Sequence, residues 1–223
     1  MRVDASPVAR VNLAAIVANV RAGAAAQALV DLRADAFGHG LSAVATALAE
    51  GTDALLLVDD ADALAPEVRR RVVTEAPEAP LDAAVVYGWG QGVPAMTLVG
   101  TVLGVKLLRA GEGVSYGYLH RATADTRVAL VTGGYAQGVV RSLSGRAGVR
   151  IDTDHLPIVG RVAMDVCVVD IGDAPVARGA RAVFFGDPAE GDPAVTEWAT
   201  ATGLTPEEIV TAVGAHARRE HSR

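Results

Sequence analysis

Hydrophobic residues in the first third of the chain follow two alternating patterns. Apolar positions at helical spacing predict an amphipathic helix over residues 12–22, and two further helices are predicted over residues 39–51 and 61–76. Residues 28–32 (ALVDL) are predicted to form a short strand, and the apolar run at residues 54–58 predicts a second, buried strand. Strands that alternate with helices are typical of a parallel sheet built from βα units.

The pattern changes near the middle of the chain. A Pro- and Glu-rich link at residues 76–80 leads into LDAAVVYG, residues 81–88, which is predicted to be another short strand. From Met96 onward, β-rich segments alternate with Gly, Pro and Asp. We therefore expect an α/β domain over residues 1–93 and an all-β domain over residues 94–223.

Near the carboxyl terminus, the β-rich pattern gives way to two predicted helices. The first, VTEWATATG, should stop at Gly203. The second should begin with Thr205 as its N-cap and Pro206 in its first turn, and Glu208 should complete a capping box.

The composition excludes several classes of protein. Of the 223 residues, 51% are hydrophobic, so the chain can bury a sizeable core. The formal charge of −6, without a basic block, argues against a nucleic-acid surface. We expect a soluble protein without a signal peptide or membrane span. The one cysteine, Cys167, is expected to be a buried thiol and fits a reducing cytoplasm.

The stretch LVDLRADAFGHG, residues 29–40, combines an apolar strand, a charged residue and a glycine-flanked turn. Turns of this kind mount catalytic groups at the ends of barrel strands, and Arg33 holds that position. Further motifs are AGEGVSYG, GGYAQG, RSLSGR and PIVGRVAMDVCVVDIGD. Together with VNLAAIVANVR, these segments are similar, in content and order, to the signatures of alanine racemases, which are pyridoxal-phosphate enzymes of fold type III.

The resemblance implies a TIM-type barrel followed by a β domain. A complete barrel takes roughly 250 residues and one βα unit roughly 30, whereas about 95 residues precede the β-rich half. We therefore expect residues 1–93 to be an α/β remnant of a TIM-type barrel that keeps the first two units and VVYG as its final strand. Such an open remnant should recruit a partner, rearrange or be poorly stable.

Two residues differ from the family pattern at positions that, in the family, contact the cofactor. Arg33 stands where the family has the lysine that forms a Schiff base with pyridoxal phosphate and acts on the substrate α-carbon. A guanidinium stays protonated to above about pH 12 and cannot attack an aldehyde. Phe37 stands where a family tyrosine contacts the cofactor phosphate. The resemblance implies pyridoxal phosphate as the cofactor, but these two residues predict that it is not covalently bound.

The part of the family site that the β domain carries is better preserved. Tyr116 matches the second acid/base of the family, Met164 a residue whose backbone positions the substrate carboxylate, and Tyr135 a tyrosine at the substrate entrance. Asp165 is expected to orient a loop. In the family these groups reach into the barrel of a partner subunit. The resemblance therefore implies a homodimer, or a heterodimer with a full-length racemase, and a small amino acid as the ligand.

Simpler interpretations stand beside these functional ones. Arg33 either anchors a carboxylate or merely conserves the charge of a lost lysine. His39 is expected to make local hydrogen bonds in its turn rather than to act in catalysis. Lys106, the single lysine of the chain, is expected to be an exposed strand residue rather than a substitute Schiff base. Tyr116 is either used chemically or inherited without use.

Four functional hypotheses follow. The first is a truncated alanine-racemase homologue without autonomous catalysis, kept for binding or assembly. The second donates Tyr116 and Met164 in trans to a full-length racemase that interconverts L- and D-alanine for cell-wall synthesis. The third is a cofactor-independent binder of small amino acids that uses Arg33. The fourth is an active alanine racemase. The residues at positions 33 and 37 favour the first.

Overall fold

The computed structural model describes residues 6–24 and 27–223, which form two units. The α/β unit consists of Arg10–Met96 together with Arg219–Arg223. The β unit consists of Thr97–Arg218 and the described residues before Arg10. Within the part of the chain that is described, no helix is both long enough and apolar enough to cross a membrane.

The α/β unit is built around a short parallel sheet. Its elements in chain order are β1 (Val8–Asn12), of which the part from Arg10 onward belongs to this unit, α1 (Leu13–Gly23), β2 (Leu29–Asp31), α2 (Arg33–Phe37), α3 (Leu41–Gly51), β3 (Leu55–Leu57), α4 (Pro66–Arg69), β4 (Val72–Val73) and α5 (Ala83–Val86). Strands β2, β3 and β4 pair in parallel in that order. The structure thus confirms the parallel sheet and the helices predicted over residues 12–22 and 39–51.

Two predictions for this unit are wrong. Residues 81–88 do not form a strand, because the Asp82 carboxylate accepts from the Ala84 N–H and starts the short helix α5. Residues 61–76 do not form one helix. Ala65 is extended, as a residue before proline prefers to be, so the segment breaks into a 3₁₀ turn, α4 and β4. The third strand of the sheet is therefore β4.

The β unit is a closed antiparallel barrel. Its strands are β5 (Met96–Leu108), β6 (Gly113–Val114), β7 (His120–Arg121), β8 (Thr126–Thr132), β9 (Gly148–Ile151), β10 (Asp154–Val159), β11 (Val166–Asp170) and β12 (Arg181–Phe185). The order β12-β9-β10-β11-β8-β5 is closed by pairing of β12 with β5, which leaves no open edge in this part of the sheet. The β-rich half predicted from the sequence is confirmed.

Two helices and a last strand follow the barrel strands. Helix α6 (Val195–Thr202) packs Trp198 edge-on against Phe184 and Phe185 of β12. Helix α7 (Pro206–His216) begins with the predicted capping box, in which Thr205 and Glu208 satisfy each other's backbone N–H groups. Strand β13 (Arg218–Ser222), which the sequence pattern did not predict, pairs with β1.

A buried amide ties α1 to the last part of the α/β unit. Asn19 is 4% exposed, and its Nδ2 donates to the carbonyl oxygens of Val86 at 3.2 Å and Val93 at 2.8 Å. Its Oδ1 accepts from the Val93 N–H at 2.9 Å. One side chain therefore satisfies backbone groups at the end of α5 and at Val93, in the segment that follows α5.

We predict that Asn19→Ala destabilises the α/β unit by about 1–3 kcal/mol, because it leaves buried backbone groups without partners. Urea unfolding of the whole protein measures the loss. Gln27→Ala is the matched control, since its exposed amide makes one bond to the Asp53 carbonyl and its removal should have little effect. Equal losses in the two variants would contradict the assignment.

Candidate functional site

A left-handed turn follows β2 in the α/β unit. Ala34, Asp35, Ala36 and Phe37 all have positive φ, between 49° and 59°, and Gly38 ends the turn at 77°. Each L-residue in this conformation costs about 1–2 kcal/mol, because Cβ crowds the following carbonyl oxygen. Such strain persists only where surrounding contacts hold it, and it occurs often at functional sites.

Arg33 begins this turn and folds back onto the end of β2. Its Nε lies 2.9 and 3.1 Å from the carboxylate oxygens of Asp31, and its Nη2 lies 2.6 Å from Oδ2. Although burial raises the pKa of Asp31, the hydrogen bonds and the charge of Arg33 together hold that pKa below its usual value. Asp31 thus occupies one edge of the guanidinium, an edge that an external carboxylate would otherwise use.

The carboxyl-terminal strand holds the turn from outside. Arg219 Nη1 pairs with the Asp35 carboxylate and donates to the Gly38 carbonyl at 3.1 Å. His221 Nε2 donates to the His39 carbonyl at 2.8 Å. Arg219 and His221 are residues that sequence reasoning missed, since nothing in REHSR indicates which segment it meets.

His39 supports the turn from inside. It is fully buried, its Nδ1 lies 2.9 Å from the Ala36 carbonyl and 3.1 Å from the Phe37 carbonyl, and its ring stacks on Tyr87 at 4.2 Å. Phe37 meets the same tyrosine edge-on at 5.7 Å. These contacts confirm the expectation of local hydrogen bonding. They make His39 a structural residue of the turn, and they give Phe37 a packing role in place of a phenolic hydroxyl.

A second group of predicted residues lies in the β unit. Tyr116 stands between β6 and β7, with 70% of its surface exposed. The preceding residue, Ser115, lies close to Gly160, where an added Cβ would come within 2.9 Å of Ser115 Oγ. A groove of about 470 Å³ runs from Tyr116 to Ala163, beside Met164. The structure thus brings the loop of Tyr116 close to the loop of Met164.

The loops of Tyr135 and Met164 are joined by backbone hydrogen bonds. The Tyr135 N–H donates to the Ala163 carbonyl at 3.0 Å, and the Ala136 N–H donates to the Met164 carbonyl at 2.9 Å. A Cβ on Gly134 would lie 2.2 Å from the Met164 oxygen, so only glycine permits this approach. Met164 and Tyr135 remain 54% and 42% exposed.

Asp165 links the same two loops, in keeping with the loop-orienting role expected of it. Its Oδ1 accepts from Gln137 Nε2 at 2.9 Å, and Gln137 Oε1 accepts from the Gly134 N–H at 3.0 Å. Gln137 is a further residue of the site that the sequence did not single out. Gln137 lies in the GGYAQG motif, and this motif was the sequence signal that could have identified it.

The remaining candidate residues, Lys106 and Cys167, belong to neither of the two groups described above. Lys106 is an exposed residue of β5, as expected. Cys167 is buried, which confirms the expected buried thiol, and burial raises the pKa of that thiol to about 12. Within residues 6–24 and 27–223, no cluster of His, Cys, Asp and Glu could hold a metal ion.

We predict that His39 makes the stability of the α/β unit depend on pH. Burial lowers the pKa of His39 to about 4, whereas an unfolded chain titrates near its ordinary value of 6.5. Between these values the unfolded chain binds the proton more readily, so the free energy of unfolding falls as the pH is lowered, by up to about 3 kcal/mol. Urea titrations across this pH range measure the slope.

His39→Gln is the control for this effect, because glutamine can donate to the same carbonyl oxygens but does not titrate. The difference in stability between wild type and variant should shrink as the pH falls from neutrality toward 4. Parallel pH profiles for the two proteins would exclude His39 as the source.

Comparison with known proteins places these features in a family. The model of the "Alanine racemase, C-terminal domain" family matches residues 95–221. Alanine racemase of Mycobacterium leprae is 48% identical over 123 residues, which are 54% of this chain and 32% of that protein. Alanine racemase of Thermobifida fusca is 43% identical over 129 residues, 58% of this chain and 34% of that protein. The chain spans about a third of the length of the curated relatives it matches.

Solved structures show the same fold. Alanine racemase from D-cycloserine-producing Streptomyces lavendulae aligns with a TM-score of 0.83 at 22% identity, over 100% of this chain and 98% of that chain. Alanine racemase from Bartonella henselae with covalently bound pyridoxal phosphate aligns with a TM-score of 0.78 at 17% identity, over 98% and 100% of the two chains. The match over residues 95–221, together with the closed β barrel and its loop motifs, shows that the chain belongs to the alanine racemase family.

Proposed function

We propose that this chain is an alanine-racemase homologue that does not catalyse racemisation on its own and keeps a binding or assembly role. One observation supports this most strongly. The position of the Schiff-base lysine is occupied by Arg33, whose guanidinium is hydrogen-bonded to Asp31, and the single lysine, Lys106, lies on a barrel strand of the other unit.

The side chains of the turn do not fit covalently bound pyridoxal phosphate. A Schiff base needs an amine that can lose its proton and attack the aldehyde, and the Arg33 guanidinium stays protonated. Phe37 offers the cofactor phosphate no hydroxyl donor. The well-supported backbone of the turn does not compensate for the missing amine. A side chain without a nucleophilic atom cannot bond to the cofactor, however well it is placed.

The architecture of the α/β unit is consistent with an internally shortened barrel, which is part of the same proposal. Three parallel strands in the order β2-β3-β4 are present, and β4 is followed within a short segment by α5 and β5. A closed barrel would need further βα units between β4 and β5. We also propose that the protein acts in the cytoplasm, where the lone Cys167 would stay reduced.

The cofactor test is direct. Purified protein mixed with pyridoxal phosphate should show no internal-aldimine absorbance, because no lysine stands at the turn. After borohydride reduction, mass spectrometry should find no pyridoxyl group on Lys106. A full-length alanine racemase serves as the positive control.

A covalent cofactor on Lys106 would overturn the proposal. The variant Lys106→Arg decides whether any adduct belongs to that residue, since the substitution keeps the positive charge and removes the amine. An adduct present in wild type and absent from the variant would show that the chain has an alternative cofactor site.

A second candidate function is supported by the β unit. Tyr116, Met164 and Tyr135 are exposed, and backbone hydrogen bonds join the loops of Tyr135 and Met164. In this alternative, the chain forms a heterodimer and presents Tyr116 and Met164 to the lysine-bearing barrel of a full-length racemase. A tyrosine needs a cationic neighbour to act as a base near neutral pH, and the partner's barrel would have to supply it.

We predict that a full-length racemase whose own acid/base tyrosine has been replaced regains activity when co-expressed with this chain. Tyr116→Phe should remove that gain, by a factor of about 100 or more, because the proton-transfer group is lost. Tyr118→Phe, the same chemical change on the same loop, should leave it intact. If no complex forms, or if both variants behave alike, donation in trans is excluded.

A further inference from the structure

A groove lies on the outside of the α/β unit, between helices α1 and α3. Its volume is about 850 Å³, which is within the range of about 300–1,000 Å³ that is common for small-molecule sites. Small and mostly apolar side chains form its walls: Ala14, Val17 and Ala18 of α1 and Ala43, Thr46 and Ala47 of α3. All the described residues that line it belong to the α/β unit. We call it the helix groove.

The helix groove runs along both helices. The starts of the two helices lie at one end and their last turns at the other, marked by Leu13, Gly40 and Leu41 and by Arg21 and Gly51. The Arg21 Nε donates to the Gly51 carbonyl at 2.7 Å, which joins the helices at the second end. Leu13 and Arg21 are about 12 Å apart along the helix axis, at about 1.5 Å per residue. An extended alkyl chain of medium length has similar dimensions.

Basic side chains line the first end of the helix groove. Arg219 and His221 of β13 lie there, with Arg223 after them. Arg219 uses a single nitrogen, Nη1, for both the Asp35 carboxylate and the Gly38 carbonyl. Its Nε and Nη2 make no hydrogen bond to any residue within 6–24 and 27–223. These N–H groups can therefore donate to an external acceptor.

The side-chain charges at the two ends of the helix groove differ. At the second end, Arg21 is balanced by Glu50. At the first end, Arg219 is balanced by Asp35, and the side chain of Arg223 adds a positive charge. An apolar groove with one cationic end suits a ligand that has an alkyl chain and an anionic head. The chain leaves water, and the head gains charge-assisted hydrogen bonds.

We propose that the helix groove binds a free medium-chain fatty acid, with its carboxylate held by Arg219 and Arg223 and its alkyl chain between α1 and α3. Arginine suits this head group because its planar guanidinium can donate two N–H bonds to one carboxylate. None of Arg33, Lys106 and Tyr116 lines the groove. The inference therefore goes beyond the proposed loss of catalysis and does not depend on it.

Isothermal titration calorimetry with decanoate, kept below its micelle concentration, tests the groove. The whole chain should bind decanoate, and Ala18→Phe should weaken the affinity about tenfold or more, because the ring occupies the space of the alkyl chain. Ala215→Phe makes the same change at an exposed position of α7, outside the groove, and should have no effect. No binding, or equal loss in the two variants, overturns the assignment to the helix groove.

Two further comparisons test the anionic head. Arg223→Glu should weaken decanoate binding about threefold or more, because it reverses a charge at the cationic end. Arg178→Glu, at an exposed position outside the groove, should leave the affinity unchanged. Decanol has the same chain without the charge and should bind more weakly than decanoate. Equal affinity for the two ligands would overturn the carboxylate assignment.

The source of the ligand is tested with vesicles of anionic phospholipid in a flotation assay. The chain should not float with the vesicles, since the proposed ligand is a single free molecule lying between two helices. Binding to vesicles without binding to free decanoate would point to a membrane surface and overturn the proposal. The cofactor spectrum enters none of these readouts, so failure here leaves the proposed loss of catalysis intact.

Discussion

The left-handed turn after β2 is the constraint on which the α/β unit depends. A run of L-residues at positive φ is unfavourable by itself, so other contacts must hold it. His39 holds it from inside, through the Ala36 carbonyl, and Arg219 and His221 hold it from the carboxyl-terminal strand. Since Arg219 and His221 lie about 180 residues after the turn, its outer support is a long-range tertiary contact.

If the proposed loss of catalysis is correct, the shape of this turn and its chemistry are separable. Shape and chemistry separate here because they rest on different atoms. The shape depends on backbone conformation and on the stacking of His39 against Tyr87, neither of which involves the side chain at position 33. The proposed loss of chemistry rests on the side chain at position 33, a guanidinium that is hydrogen-bonded to Asp31.

In the β unit, by contrast, the residues that match the family site are kept together with the scaffold that carries them. Its barrel closes without open edges, its loops are fixed by close backbone approaches, and Gln137 joins Asp165 to the neighbouring loop. What this rigid scaffold presents is an exposed aromatic and apolar surface. Surfaces of this kind usually mark a binding site, because exposed apolar area of this extent is otherwise unfavourable for a protein in water. The proposed binding or assembly role rests on this exposed surface.

Local patterns in the sequence were enough to predict α1, α3, the capping box of α7 and the change to β structure. They were also enough to show the motifs of the family. Periodicity, caps and motifs are all properties of residues that are neighbours in the sequence. Tertiary structure decided that the apolar run before Tyr87 forms the helix α5, since short apolar runs suit either conformation. The break at Ala65 was a local signal that the sequence prediction missed, because Pro66 follows it. Tertiary structure also decided that Arg219 meets Asp35 and that Gln137 meets Asp165. Those pairs are far apart in sequence, and only the folded backbone brings their polar atoms within hydrogen-bonding distance.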